Sequence, residues 1–158
     1  MEATSSFNFG VVDQRFLARS LGLLNPPPPV EIHHEGSIRS AVELLKANKI
    51  GAVIVTDSKG SIVGMFTERD VVTKISLTTI DLEQTPISEV MTKSPQTAQM
   101  TTTVAFALNM MSQGGYRHIP IIDDGGTPVG MISVKNIVDY IASALTKDLF
   151  KFEASRSA

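Results

Sequence analysis

The sequence predicts an α/β (α+β) fold of two repeats, each strand, helix, strand, strand, helix, with their sheets packed against each other about a pseudo-twofold axis. The first observation is an internal repeat. Sliding the chain by 66 residues lays 37–75 on 103–141 without a gap, with eight identities in 39 positions. Asp57 meets Asp123, Gly60 meets Gly126, Val63-Gly64-Met65 meets Val129-Gly130-Met131, and Asp70 meets Asn136. The second observation is the order inside each copy, where a short β-branched run, a turn, a second apolar run and a helix follow one another. The third is that neither copy can cover both faces of a three-stranded sheet, so each needs the other to close its core.

In chain order, residues 1–10 read as frayed. Residues 12–24 carry Val12, Phe16, Leu17, Leu21 and Leu24 on a helical stripe that docks on the core or on another copy of the chain. The prolines at 26–29 end that helix, because proline has no amide hydrogen and forces its predecessor into an extended form. They read as a stiff spacer, with a ligand for an aromatic groove as the alternative. Residues 1–29 are thus expected to be an N-terminal helix and linker, 30–76 the first repeat, 77–95 a connector, 96–149 the second repeat and 150–158 a flexible tail.

The first repeat opens with a strand at 30–34. Ser37 then caps a helix that turns Ile38, Ala41, Val42, Leu44 and Leu45 inward. Residues 52–56 form a buried strand, 57–60 a type I turn, 61–67 the return strand, and 68–76 a helix with Val71, Val72 and Ile75 inward. A short helix is expected at 87–91 in the connector. The second repeat has a strand near Thr97 and a helix at 104–113 with Val104, Ala107, Leu108, Met110 and Met111 inward. Strands at 119–122 and 128–133 flank a turn at 123–126, and a last helix runs from Val134 through Ile137, Val138, Ile141 and Leu145 toward Leu149.

Composition narrows the function. The chain has 158 residues, 42% hydrophobic and 19% charged, which is ordinary globular material. A formal net charge of -2 offers no basic face to nucleic acid, so none is expected as a partner. The absence of cysteine removes disulfides, thiolate metal sites and thiol nucleophiles. The first residues lack a basic stretch followed by an apolar run, and no apolar run reaches bilayer length, so a cytoplasmic protein without a membrane partner is expected. The glycine-rich turns are too short for a phosphate-cradling loop. No nucleophile with its base and no carboxylate pair stands out, so the chain does not read as an enzyme and no catalytic cofactor or metal is expected.

The chemistry-bearing residues recur at one place in each copy. Thr67-Glu68-Arg69-Asp70 and Ser133-Val134-Lys135-Asn136 stand where a strand passes into a helix, and Arg117 and His118 stand at a strand end. Basic groups facing a short polar pair at a helix start can hold a small phosphorylated molecule.

These doubled motifs resemble a tandem pair of cystathionine β-synthase (CBS) domains, the Bateman module, over about residues 30–149. So do Glu89-Val90-Met91-Thr92 with Pro95 ahead of the second copy, and Tyr116-Arg117-His118-Ile119-Pro120. The resemblance implies an adenosine-containing ligand such as AMP, ADP, ATP or S-adenosylmethionine, held in clefts between the halves. It also implies a regulatory rather than catalytic role, a homodimer of pairs, and an effector protein downstream. It places Asp70 and Asn136 on the ribose hydroxyls, with Thr67 and Ser133 near the sugar or phosphate and Arg117 and His118 on phosphate. A carboxylate can accept from two vicinal hydroxyls, as in dinucleotide-binding folds. Arg69 and Lys135 add charge, and Ile50, Gly51, Ala52, Met65, Tyr116 and Met131 are available as an apolar adenine slot. Lys49-Ile50-Gly51-Ala52 stands where the second copy has Gly115-Tyr116-Arg117-His118, so the phosphate-directed charge is one-sided and the two clefts should differ. Which strand completes which cleft stays open.

Plainer readings stand beside these. Both four-residue motifs are also helix caps, and Arg117 and His118 also read as a solvated strand end. His33 and His34 between Glu31 and Glu35 suggest a metal-dependent enzyme as one alternative function, although in a strand at most three ligands converge there. A structural dimerisation module with vestigial clefts is the other alternative.

Overall fold

The computed structural model describes residues 13–76 and 78–156. The fold is mixed α/β and doubled, as expected. It begins with a one-turn α1 (Gln14–Leu17) and a 3-10 turn (Leu21–Leu24). The first repeat follows as β1 (Glu31–His33), α2 (Ile38–Asn48), β2 (Ala52–Thr56), β3 (Ile62–Thr67) and α3 (Glu68–Asp70), which relaxes into a π turn (Val71–Ile75). The connector carries a 3-10 turn (Ile87–Glu89) and β4 (Thr92–Lys93). The second repeat is α4 (Val104–Gly114), β5 (His118–Ile122), β6 (Pro128–Ser133) and α5 (Val134–Arg156).

Local chemistry explains these elements. Ser37 caps α2 by accepting from the Ser40 amide at 3.1 Å, and Thr103 caps α4 by accepting from the Phe106 amide at 3.2 Å. Asp57 closes its turn by accepting from the amides of Lys59 and Ser61, both at 2.9 Å. Asp123 does the same with Gly125 and Thr127. In β2 the alternation of a strand sends Val53 and Val55 to the core under α2. It sends Ala52 and Ile54 the other way, onto Met65 and the second repeat's Met131. That shared apolar layer packs the two sheets together.

The pseudo-symmetry reaches further toward the N-terminus than the repeat read from sequence. Ser20 bridges Thr103 as Pro86 bridges Ser37, again 66 residues apart. The Leu21 amide donates to the Thr102 carbonyl, and the Ile87 amide donates to the Gly36 carbonyl. Leu21 and Ile87 are both fully buried. The N-terminal segment therefore completes the second repeat's core, with Phe16, Leu21 and Leu24 against Val104, Ala107 and Ile119, just as the connector completes the first.

Several expectations are corrected. The helix expected over 12–24 is broken, because Ser20 turns to pair with Thr103; Val12 and residues 1–10 lie outside the described residues. The prolines are more than a spacer, for Pro26 and Pro27 stand where the first repeat has Thr92 and Lys93. Pro28 has no amide to match that of Ser94, which bonds the Val63 carbonyl, so one link remains, from the Met131 amide to the Pro27 carbonyl at 3.1 Å. The strand expected near Thr97 is a single bridge between Ala98 and Ile121, since Pro120 lacks the amide that Ile54 donates to Val30. Val72, Val138 and Leu145, expected inward, are exposed. Helix α5 continues to Arg156 where a loose tail was expected from 150. Among the described residues no helix is long and apolar enough to cross a membrane.

Candidate functional site

A cavity of about 660 Å³ opens between the repeats. It brings Thr67, Arg69 and Asp70 at the start of α3 against Tyr116, Arg117 and His118 at the start of β5, with Gly51 and Met65 between them. Two main-chain bonds hold the walls: the Glu68 amide donates to the Gly51 carbonyl, and the Val134 amide to the Arg117 carbonyl.

Asp70 is buried in this wall. Its Oδ2 accepts from the Thr67 amide at 2.9 Å and the Thr67 hydroxyl at 2.8 Å, while Thr67 Oγ1 accepts from the Asp70 amide at 3.3 Å. Its Oδ1 pairs with Lys74 Nζ at 2.8 Å. The motif is thus a capping box with one carboxylate oxygen turned to a lysine. Arg69 reaches across to the second repeat and donates to the Gly115 carbonyl at 2.8 Å. Arg117 is exposed and lines the cavity.

His118 lies over Gly51 so closely that a Cβ there would meet its Cε1 at 2.9 Å and Nε2 at 3.0 Å. Burial holds its imidazole below the ordinary value, with Glu68 pulling it back up and Arg117 pushing it further down.

The remaining candidates lie outside the residues lining this cavity. Ser133 and Asn136 form the same local box, with Asn136 Oδ1 accepting from the Ser133 amide at 2.8 Å and hydroxyl at 2.6 Å. Lys135 pairs with Asp139 on α5. Ile50 packs on the first repeat's core, and Ala52 and Met131 fill the layer between the sheets. Sequence reasoning missed the wall made by Glu68, Thr73, Thr92, Ser94 and Gln96. The signal was present in the connector motif Met91-Thr92 with Pro95, which had no assigned place. His33 bonds Ser58 at 3.1 Å and pairs with Glu35 at 3.7 Å. No group of three or more metal-ligating side chains converges among the described residues.

A model of the CBS domain family matches residues 23–77 and 87–143. The chain belongs to the CBS domain family. This CBS pair is 35% identical over 102 residues to a CBS domain-containing protein of Arabidopsis thaliana, a match covering 65% of this chain and 19% of that protein. The chain thus spans about a fifth of the length of the curated relatives it matches first. In fold it is similar to a CBS domain protein from Pyrobaculum aerophilum complexed with AMP, with a TM-score of 0.70 and 23% identity over 79% of this chain and 99% of that one. It is also similar to the CBS domain pair of protein MJ0100 in complex with 5′-methylthioadenosine and S-adenosyl-L-methionine. There the TM-score is 0.72 and the identity 23%, over 80% of this chain and 98% of that one.

Proposed function

We propose that this CBS pair is a regulatory sensor in the cytoplasm. It takes an adenosine-containing ligand into the cleft between its repeats and passes occupancy to an effector protein. The observation that carries this reading is the cavity joining the Thr67–Asp70 cap of one repeat to Tyr116, Arg117 and His118 of the other. A carboxylate offers about four lone-pair sites, and Asp70 uses three, for Thr67 twice and Lys74 once. Capacity remains there for a ribose hydroxyl. Tyr116 and Met65 supply apolar wall for the base, and Arg117 supplies charge for a phosphate.

Two fold neighbours, one complexed with AMP and one with 5′-methylthioadenosine and S-adenosylmethionine, support the ligand class. The reading includes regulation without catalysis and a homodimer of pairs, the latter supported by Phe106 on α4 and Val138 on α5, apolar side chains left exposed. Ligand would act by favouring one arrangement of the two repeats over another.

The test is a calorimetric screen of AMP, ADP, ATP, S-adenosylmethionine and NAD against the whole chain. At least one adenosine ligand should bind, and Asp70→Ala should weaken it while the chain still melts cooperatively. Silence from all five at millimolar ligand would sink the reading.

A further inference from the structure

Lys74 does not line the cleft, yet it governs the group that does. Its ammonium holds Asp70 Oδ1 at 2.8 Å, donates to the Val90 carbonyl at 2.8 Å and stands 3.5 Å from the Thr92 hydroxyl. Among the charged groups lining the cavity, Glu68 and Asp70 offset Arg69 and Arg117, and the half-buried His118 is neutral at pH 7. Without Lys74 a phosphate would enter a cleft of no net charge with a buried carboxylate in its wall, where like-charge repulsion is strongest. With Lys74 that carboxylate is compensated and the balance turns positive.

The second repeat supplies an internal control. Asn136 stands in place of Asp70, and Tyr140 in place of Lys74, so both charges are absent together. Asn136 still makes the box with Ser133. Tyr140 instead stacks on Phe16 and receives a hydrogen bond from Arg19. The box therefore forms without any cation four residues on, and the lysine is present only where the carboxylate is.

We infer that Lys74 is a charge-compensating residue that fits the Asp70 cleft to an adenosine ligand carrying a 5′-phosphate in preference to the unphosphorylated nucleoside. The inference rests on the proposed adenosine-binding role and names the ligand class that the cleft selects.

The experiment measures AMP and adenosine binding by calorimetry to the wild type, Lys74→Met and Lys74→Arg, with thermal melting as a control of folding. The wild type should prefer AMP. Lys74→Met should weaken AMP about tenfold or more while leaving adenosine within about twofold, and Lys74→Arg should restore AMP. Equal loss of both ligands in Lys74→Met would mean a merely structural lysine and overturn the inference, as would unchanged AMP binding or a wild type that prefers adenosine. If the wild type binds neither AMP nor adenosine, this inference falls; the proposed function falls with it only if ADP, ATP, S-adenosylmethionine and NAD are silent as well, and the other failures leave that function standing.

Discussion

The Arg69 guanidinium of the first repeat donates to the main-chain carbonyl of Gly115 in the second, 2.8 Å away. Gly115 is the left-handed residue that ends α4, with φ of 67°. The bond therefore ties the helix start that carries Asp70 to the loop that leads into Tyr116, Arg117 and His118, across the cleft between them.

Arg69→Ala removes that tie. Its partner is exposed, so stability should fall by no more than about 0.5–1.5 kcal/mol. Affinity for AMP should fall by about tenfold, because the two walls lose their relative position. Calorimetry beside a melting curve checks both, and an unaltered affinity would show that the tie does not shape the site.

Gly51→Ala tests the contact beneath His118. The added methyl would lie 2.9 Å from His118 Cε1 and 3.4 Å from Glu68 Oε2, inside or at the edge of contact distance. The imidazole must shift from its place beside Asp70's wall. Ligand affinity should drop, with a stability loss on the order of 1–3 kcal/mol from overpacking. Normal binding and melting together would mean the ring moves away freely.

His118 should make stability depend on pH. Its folded pKa is depressed below 6.5, mainly by burial, so the unfolded chain takes up the proton more readily than the fold does. The contribution of the neutral ring is complete above the ordinary value and is lost as pH falls through the lower folded one. From about pH 7.5 to about pH 5 the wild type should lose more melting temperature than His118→Gln. Parallel curves for the two would contradict this.

Leu21→Ala and Ile87→Ala should be equally costly, since the two side chains are fully buried at equivalent places in the two cores. Each should destabilise by about 2–5 kcal/mol in chemical denaturation. A harmless Leu21→Ala would show that the N-terminal segment is an accessory rather than part of the second repeat.

Much of the fold was legible because its signals are local. The Asp57 and Asp123 turns, the Ser37 cap and the buried faces of α2 and α4 follow from spacing within a dozen residues. The failures came where a distant partner overrode the local pattern. Val12 to Leu24 has a helical period, yet Ser20 leaves it to pair with Thr103. Thr97 sits in an extended stretch, yet Pro120 opposite cannot complete the ladder. Of the candidate site residues, Thr67, Arg69, Asp70, Tyr116, Arg117 and His118 converge because their two segments face each other across the pseudo-twofold axis.

The sequence alone determined the 66-residue repeat, the order of strands and helices within it, and the two capping motifs where a strand passes into a helix. Only the tertiary structure decided that the Asp70 cap meets Tyr116, Arg117 and His118, that Lys74 shares the carboxylate, and that residues 20–24 close the second repeat's core. The physical reason is range. A period or a cap is written in neighbouring residues, whereas the packing of a four-stranded sheet on a two-stranded one joins residues far apart in the chain, and only the packing of the whole chain selects it.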